Sequence, residues 1–394
     1  MSRFMFVVPP LAAHVHPTSA VGLELLQRGH DVAWVGHQDQ IASMLPAGVD
    51  IIDVGEDSPH PAGFSNWAES LEVRRMEMRG VVAFRFLWEE FLVPLAASMV
   101  PGIEKAVSNF APDVLAVDQH TVGGAVVARQ HDLPWATMAI MSAELVDPLP
   151  GKLQDWVRQQ LDGLWRQFGD GGVGVPLTAD LRFSDRLVVA FTSEALVGSV
   201  DRFPDFYKFV GPSIAPRTGE FPWEWLDPNR EHVLLSLGTV SGPIGERFLD
   251  TAIEAVAELG DRLQLIVVAP PRTIQSNASH VLVRNWVPYL ELLPHLDAIV
   301  CHAGHTTTCE ALAHGVPLVM APIRDDQPVV AWQVENAGAG LRVKFGRVRP
   351  PEVRDALLRV LDDASFREAA RRIKESFTAA GGAAAAADHL ERML

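Results

Sequence analysis

The sequence contains little cysteine. Among its 394 residues there are two, Cys301 and Cys309. Two cysteines are too few for a disulfide framework of the kind that stabilises small secreted domains. We therefore interpret both as small core residues of a protein from a reducing compartment.

Long apolar runs and an excess of positive charge are also missing. The apolar run at residues 4–8 is too short for a signal peptide or a membrane span, so we expect a cytoplasmic protein with no membrane span. Lys and Arg total 33 against 49 Asp and Glu, a formal net charge of −16. This charge argues against a nucleic-acid partner, whose phosphates it would repel, but it permits a local positive site.

Glycine is absent where a dinucleotide site would need it. Residues 4–8 predict a buried strand, a helix is predicted from about Thr18 to Gly29, and residues 31–35 predict the next strand. This β-α-β opening indicates a doubly wound α/β domain, and the chain is long enough for two. Residues 9–17 contain no glycine, so the G-x-G-x-x-G fingerprint of an NAD-dependent oxidoreductase is missing from that turn.

The most informative stretch is residues 286–327. Within it, residues 298–301 predict a buried strand and residues 302–305, H-A-G-H, predict a turn. Thr307 and Glu310 have the spacing of a helix capping box. Such a turn directs free backbone N–H groups and the positive end of a helix dipole beyond the strand, which suits a phosphate. An ordinary capped helix explains the same pattern.

Side chains around this turn suit the other parts of a nucleotide. Trp286 offers a flat face to a base, Glu310 suits ribose hydroxyls, and the pair Asp326 and Gln327 suits the hydroxyls of a sugar. A second turn at residues 238–242 offers hydroxyls and backbone N–H groups, although taken alone it is typical of a small-residue loop. The residues predicted to bind the nucleotide-linked ligand are Gly238, Thr239, Ser241, Trp286, Val287, His302, Gly304, His305, Thr306, Thr307, Glu310, Asp326 and Gln327.

In this order, the stretch resembles the nucleotide-sugar motif of the UDP-glycosyltransferase superfamily, whose members have the GT-B fold. The matching segments are W-V-P-Y, H-A-G-H-T-T-T-C-E and D-D-Q, and the bacterial macrolide and antibiotic branch looks closest. Tyr289 departs from the plant form of the motif, which has Gln there. The resemblance implies an acceptor-binding Rossmann-like domain (1–212), a linker (213–230) and a nucleotide-sugar-binding Rossmann-like domain (231–376). It also implies a central cleft and a last helix (377–394) that packs back on the first domain.

The resemblance also assigns a general base. The family has H-x-x-P after its first strand, and residues 14–17, H-V-H-P, match it, so His14 is the expected base and His16 the alternative register. Asp118 matches the family's carboxylate, which holds the imidazole and stabilises its charged form. From local sequence alone, His14 also fits a packing or capping residue, and Asp118 fits the N-cap of the following helix.

The acceptor side has a weaker signal. Residues 58–98 interleave aromatic, methionine and arginine side chains, and the family places its acceptor site in this variable region. Packing of helices in the core explains most of these aromatic residues as well. The predicted acceptor-binding residues are Trp67, Phe84, Trp88 and Ser142.

The predicted reaction is an inverting transfer of a hexose from UDP-glucose or a dTDP-deoxysugar to a hydroxyl of a hydrophobic natural product. No Asp-x-Asp motif accompanies the turn, so we expect neither a metal nor a cofactor. His302 and His305 lie near the cysteines, but a diphosphate turn explains them better than zinc. A nucleotide-sugar 2-epimerase and a non-catalytic donor-binding protein are the alternatives, and the oligomeric state, including a homodimer, stays open.

Overall fold

The computed structural model describes residues 1–55, 64–75, 78, 80–145, 151–169, 180–238, 243–270 and 273–394. These residues form two compact units. The first contains Met1–Thr192, Val200–Ala215 and Ala380–Leu394, and the second contains Ser193–Ser199 and Pro216–Ala379. The main change of unit, after Ala215, falls inside the predicted linker at 213–230.

A seven-stranded parallel sheet forms the centre of the first unit, in the order β3-β2-β1-β4-β5-β6-β7. Its strands are β1 (Arg3–Val7), β2 (Asp31–Gly36), β3 (Asp50–Asp53), β4 (Val114–Asp118), β5 (Trp135–Ala139), β6 (Val188–Ala190) and β7 (Tyr207–Phe209). Alternate residues of β1 enter different cores: Phe4 and Phe6 pack in one, Met5 and Val7 in the other. Because the central strands are covered on both faces, they appear in the sequence as continuous apolar runs.

Helices of the first unit follow its strands. They are α1 (Ala12–Gln27), α2 (Gln38–Ile41), α3 (Phe64–Arg75), α4 (Gly80–Phe86), α5 (Val93–Phe110), α6 (Val122–Gln130), α7 (Ser142–Leu145) and α8 (Gly151–Leu164). Short π-helical segments at Leu87–Leu92 and Trp165–Gly169 follow α4 and α8, and a 3-10 turn at Ala42–Met44 follows α2. The core formed by α5 and α6 contains Leu95, Met99 and Val126.

The start of α1 differs from the prediction. The helix begins at Ala12 rather than near Thr18, and Pro17 lies inside it. Proline removes one backbone donor, so the prediction treats it as a helix boundary. In the structure, the hydroxyls of Thr18 and Ser19 donate to helix carbonyls three residues earlier at 2.8 Å, which adds bonds to this irregular turn. His14 therefore lies in the first turn of a helix and not on a loop.

The second unit has a six-stranded parallel sheet in the order β10-β9-β8-β11-β12-β13. Its strands are β8 (Glu231–Ser236), β9 (Leu263–Val268), β10 (Val281–Arg284), β11 (Ala298–Cys301), β12 (Leu318–Met320) and β13 (Gly340–Arg342). Its helices are α9 (Glu194–Val197), α10 (Pro243–Ala255), α11 (Tyr289–Leu292), α12 (His305–Ala313), α13 (Gln327–Asn336), α14 (Pro350–Asp362) and α15 (Ala364–Ala380). Short 3-10 turns occur at Trp223–Trp225 and Leu293–His295.

The last helix, α16 (Gly382–Glu391), belongs to the first unit, as the fold prediction requires. Ala386, Ala387 and Leu390 enter the core beside β1. Arg28, just after α1, donates to Asp388 at 2.6 Å and to Glu391 at 2.7 Å. Small side chains therefore allow α16 to pack closely, and ion pairs at its outer edge set its position.

Both sheets reverse their strand order at an equivalent place. In the first unit the reversal lies between β1 and β4, and in the second between β8 and β11. Ligands of open α/β sheets bind beyond the carboxyl ends of the strands at such a point. His14 follows β1 and Asp118 ends β4, while the predicted phosphate turns follow β8 and β11. Among the described residues, no helix is both long and apolar enough to cross a bilayer.

Candidate active site

His14 and Asp118 form a buried pair at the switch point of the first unit. The Nδ1 atom of His14 lies 2.9 Å from Oδ2 and 3.1 Å from Oδ1 of Asp118. The two residues are 3% and 0% exposed. Because Nδ1 faces the carboxylate, Nε2 is the ring nitrogen left to accept a proton. Of the two candidate bases in H-V-H-P, His14 and His16, the Asp118 carboxylate contacts His14, the one that the sequence favours.

Asp118 also holds the turn that follows β4. Its Oδ1 accepts the backbone N–H of His120 at 2.8 Å, and its carbonyl accepts the N–H of Thr121 at 2.9 Å. The N-cap of α6 is Thr121, with no side-chain cap bond. The carboxylate therefore orders the turn while it orients His14, and the simple N-cap alternative for Asp118 is wrong.

A second histidine–carboxylate pair lies behind the first. The ring of His120 is tilted 31° against that of His14, with 4.7 Å between the ring centroids. Nε2 of His120 lies 2.9 Å from Oε1 of Glu144, whose other oxygen accepts from Arg182 at 3.3 Å. Burial raises the pKa of Glu144, but His120 and Arg182 outweigh it and hold that pKa at about 2. Glu144 is therefore ionised at neutral pH.

His14, Asp118 and His120 also have the chemistry of a metal-ligand set, with ligand atoms within 4.8 Å of one another. A metal bound through Nδ1 of His14 would displace the bonds of that atom to both oxygens of Asp118. A metal bound through Nε2 of His120 would compete with Glu144. The expectation that the protein needs no metal stays a prediction.

The phosphate turn of the second unit has a helix start different from the prediction. α12 begins at His305 with Gly304 as its N-cap, and the cap has no side-chain bond. Thr307 is therefore inside the first turn, and the predicted capping box with Glu310 is wrong. Because Gly304 has no side chain, the first N–H groups of α12 are left without a side-chain cap, which suits an external anion.

The His302 ring lies between two glycines that have room only for hydrogen. A Cβ at Gly238 would be 2.8 Å from Cε1 of His302, and a Cβ at Gly304 would overlap Nε2. Gly238 also has φ +64°, which few side chains tolerate. Burial, assisted by the charge of Arg324, lowers the pKa of His302 to about 4. The ring is thus neutral at pH 7 and offers a hydrogen bond without a charge.

Glu310 and Trp286 are both contacted by the segment at residues 217–219. Arg217 pairs with the carboxylate of the buried Glu310. Burial raises the pKa of Glu310, and Arg217 partly offsets that effect. Gly219 packs so closely against the Trp286 ring that a side chain there would overlap the indole. Trp286 is 54% exposed, so much of its ring is open to a base.

The D-D-Q segment starts α13 at Gln327, with Asp326 as its N-cap. Oε1 of Gln327 accepts the N–H groups of Ile323 at 2.8 Å and Arg324 at 3.0 Å. Its side-chain oxygen is therefore used to shape the turn, which leaves the amide group as its remaining donor. The half-buried Asp326 keeps a carboxylate at the same end of the helix.

Comparisons with known proteins find related glycosyltransferases. The UDP-glucoronosyl and UDP-glucosyl transferase family matches residues 214–376. The uncharacterized UDP-glucosyltransferase YojK of Bacillus subtilis is 30% identical, over 99% of this chain and 97% of its own. The chain belongs to the UDP-glycosyltransferase family. The 4'-demethylrebeccamycin synthase of Lentzea aerocolonigenes is 28% identical over the whole of both chains. The demethyllactenocin mycarosyltransferase of Streptomyces fradiae is 27% identical, over 100% of this chain and 87% of its own.

Solved structures show the same fold for this glycosyltransferase. The kitacinnamycin glycosyltransferase superposes with a TM-score of 0.79 at 23% identity, covering 100% of this chain and 99% of that one. The glycosyltransferase VinC, solved in complex with dTDP, has a TM-score of 0.74 at 20% identity, with 99% of each chain covered. The predicted α/β class, the GT-B fold and the resemblance to the bacterial antibiotic branch of the family are confirmed.

The remaining predicted donor residues of the glycosyltransferase differ in their surroundings. The His305 ring is buried with Nε2 3.5 Å from Sγ of Cys309. Thr306 and Thr307 are half-buried on α12, and Val287 packs in the core. Tyr289, which departs from the plant motif, donates its hydroxyl to the carbonyl of Thr307 at 2.9 Å and so braces the start of α12. Thr239 and Ser241 lie outside the described residues.

The predicted acceptor residues lie mainly in the core of the first unit. Trp67 and Trp88 are 6% and 1% exposed and pack in the cluster around α5. Phe84 is half-buried against Trp88, with ring centroids 6.4 Å apart. Ser142, the first residue of α7, is 1% exposed. These positions fit the core-packing alternative, and their acceptor role stays a prediction.

The sequence did not single out Arg324, Arg217 or the His120–Glu144–Arg182 cluster. Arg324 is 5% exposed, and its Nε lies 3.6 Å from Oδ2 of Asp325. The sequence marks Arg324 only by its position directly before the D-D-Q segment. The other two groups join residues 24 to 93 positions apart, which local patterns do not reveal.

Proposed function

We propose that this glycosyltransferase moves a hexose from a nucleoside-diphosphate sugar to a hydroxyl of a hydrophobic small molecule. We further propose that the transfer inverts the anomeric centre and requires no metal. The observation that carries the proposal is the buried contact of His14 Nδ1 with the Asp118 carboxylate. A base held in this way can accept a proton at Nε2 from an acceptor hydroxyl.

The chemical step is a single displacement. Nε2 of His14 takes the proton from the acceptor hydroxyl as its oxygen attacks the anomeric carbon, and Asp118 stabilises the imidazolium. The bond from that carbon to the diphosphate oxygen breaks on the opposite face, and its electron pair leaves with the nucleoside diphosphate. Attack opposite the leaving group inverts the configuration.

Protein groups of the second unit supply the donors for the diphosphate. These are the N–H groups at the start of α12, the neutral His302 and the turn at Gly238. Arg324 adds a positive charge that already acts on His302. Preorganised donors of this kind contribute on the order of 3 kcal/mol each to stabilising the leaving charge.

The donor and acceptor classes follow from the site and from the relatives. The Asp326 carboxylate suits a sugar with free hydroxyls, which favours a hexose such as glucose. Relatives are named for glucosyl and mycarosyl transfer, and VinC was solved with dTDP, so UDP-glucose and dTDP-deoxysugars are the donors to test. The names of the synthase and the mycarosyltransferase support a natural-product acceptor.

The experiment is a product assay with variants. UDP-glucose and dTDP-sugars are incubated with a panel of macrolide and aromatic acceptors, with and without EDTA, and products are identified by mass spectrometry and anomeric NMR couplings. We expect a glycoside of inverted configuration and equal rates with the chelator. His14→Ala should reduce the rate by about 10²–10⁴-fold, the range of general base catalysis. His16→Ala should have a much smaller effect.

Three results would contradict the proposal. Folded protein that forms no glycoside with any donor would refute the transfer. Conversion of the donor without an acceptor would favour the 2-epimerase. If the protein binds the donor normally, and His14→Ala changes neither donor binding nor the formation of any product, a non-catalytic binding protein would be favoured.

A further inference from the structure

The structure places a second imidazole directly beside the proposed base. His120 is 4% exposed, and its ring centroid is 4.7 Å from that of His14. Its backbone N–H donates to Oδ1 of Asp118, the carboxylate that also contacts Nδ1 of His14. A ring nitrogen of each histidine and a carboxylate oxygen of Asp118 also lie within 4.8 Å of one another, so a charge on either ring acts on the other.

Charged groups on separate elements hold His120 in place. Asp118 at the end of β4 faces it from one side, and Glu144 on α7 contacts its Nε2 at 2.9 Å. Arg182 donates to Glu144 and is held in turn by Asp180, whose oxygens accept at 3.0 and 2.7 Å. Glu144 thus contacts the ring of His120, and the Asp118 carboxylate lies within 4.8 Å of a ring nitrogen, so both carboxylates favour the charged form of the ring.

We propose that His120 is a positioning residue for the base: its ring, fixed by Glu144, packs on His14 and holds a positive charge that disfavours a second one on His14. The inference deepens the proposed function and rests on it. A single proton is then shared unequally between two imidazoles beside Asp118. The charge on His120 opposes a second proton on His14, which keeps Nε2 of His14 able to accept the proton of the acceptor hydroxyl.

The state of Glu144 supports this arrangement. Burial raises its pKa, but His120 and Arg182 lower it to about 2, so its negative charge persists over the working pH range. Like charges at the 4.7 Å separation of the two rings oppose each other by an amount equivalent to about one to three pH units, for effective dielectric constants from about 50 down to about 20. A general base gains from such an adjustment because it must be unprotonated at the operating pH.

The test follows the histidine rings by NMR in the full chain, without any acceptor. His14→Ala and His120→Phe assign the two ring signals. In His120→Phe and His120→Asn, the His14 signal should titrate at a pH higher by about one to three units. His131→Phe, the same change at an exposed position at the end of α6, is the matched control and should leave the His14 titration unchanged.

Activity gives the second readout. For both His120 variants, the acid limb of the pH profile of kcat/KM should move to higher pH by the same amount. At pH values above this limb, kcat/KM should stay near that of the wild type. A uniform loss at all pH values would show a purely structural role and overturn the proposal. A shift of the His14 titration below about 0.3 pH unit in both folded variants would also overturn it. Because the NMR titration needs no turnover, it separates failure of this coupling from failure of the transfer reaction.

Discussion

At the residue scale, the charge of His302 decides how the phosphate turn works. Burial is the main cause that lowers its pKa from 6.5 to about 4, so the ring is uncharged above that pH. A bound diphosphate would favour the imidazolium, but charging it at pH 7 requires a shift of about three units, or about 4 kcal/mol. His302 should therefore act as a neutral donor.

This neutrality predicts a flat pH dependence of donor binding. The affinity for UDP-glucose or dTDP-glucose, measured by calorimetry, should change by less than about twofold between pH 5.5 and 8, because His302 does not titrate there. His302→Gln keeps a neutral donor and should weaken binding less than His302→Ala. Binding that tightens about tenfold in acid, with a midpoint near 6.5, would instead identify a charged imidazole.

Arg324 supplies the charge that His302 lacks. Charge-assisted hydrogen bonds contribute about 1.5–3 kcal/mol, so Arg324→Gln should weaken donor affinity by about 10–100-fold, and Arg324→Lys by less. Arg342→Gln, at a more exposed site of the same unit, is the control and should bind normally. If Arg324→Gln lowers stability but leaves donor affinity unchanged, Arg324 serves only to pair with Asp325 and does not bind the donor.

How well a contact in the site can be predicted from the sequence depends on how far apart its two residues lie in the chain. Residues within one turn, such as His302 and Gly304, are close because the chain is short between them. The pair His14 and Asp118 was predicted through a family motif, because 104 positions separate them. Arg217 reaches Glu310 across 93 positions, and no motif marks that contact.

At the scale of elements, α12 depends on the missing side chain of its N-cap. The backbone of Gly304, at φ −61° and ψ 138°, accepts any residue, so Gly304→Ala tests the neighbouring ring rather than backbone strain. The added methyl would displace His302, with an overpacking cost of about 1–3 kcal/mol. Donor affinity should fall by about tenfold or more, measured by calorimetry.

Gly346→Ala is the control for this change, because a Cβ there meets nothing within 4 Å. It should leave both donor affinity and thermal stability near the wild type. If Gly304→Ala binds the donor normally, the close packing of His302 has no role in binding.

Elements with continuous apolar runs were predictable, and the others were not. β1 and β11 are covered on both faces and appear as such runs. β3, β7 and β13 contain exposed or half-buried residues, and each lies at an edge of its sheet, so they lack this signal. Helix starts were missed at α1 and α12 because Pro17 and Thr307 are ambiguous as boundaries.

At the scale of the whole molecule, each unit contains a buried group that disfavours acid. In the second unit, His302 has its pKa lowered from 6.5 to about 4, so the unfolded chain binds more protons between these values and stability falls as the pH falls through them. In the first unit, the pKa of Glu144 is lowered from 4.5 to about 2, so its contribution is complete above 4.5 and lost toward 2. His37, also in the first unit, is shifted in the same direction as His302.

These windows predict how acid unfolds the chain. The pKa shifts of His302 and Glu144 each correspond to about 3 kcal/mol, which can be measured as the pH dependence of the free energy of unfolding in urea. His302→Gln should flatten that dependence between pH 6.5 and 4, and Glu144→Gln should flatten it between 4.5 and 2 while lowering stability at pH 7. Glu254→Gln, an exposed site, should keep the wild-type curve. A full wild-type slope in His302→Gln would show that its buried ring does not control acid stability, and would remove the basis for treating it as a neutral donor.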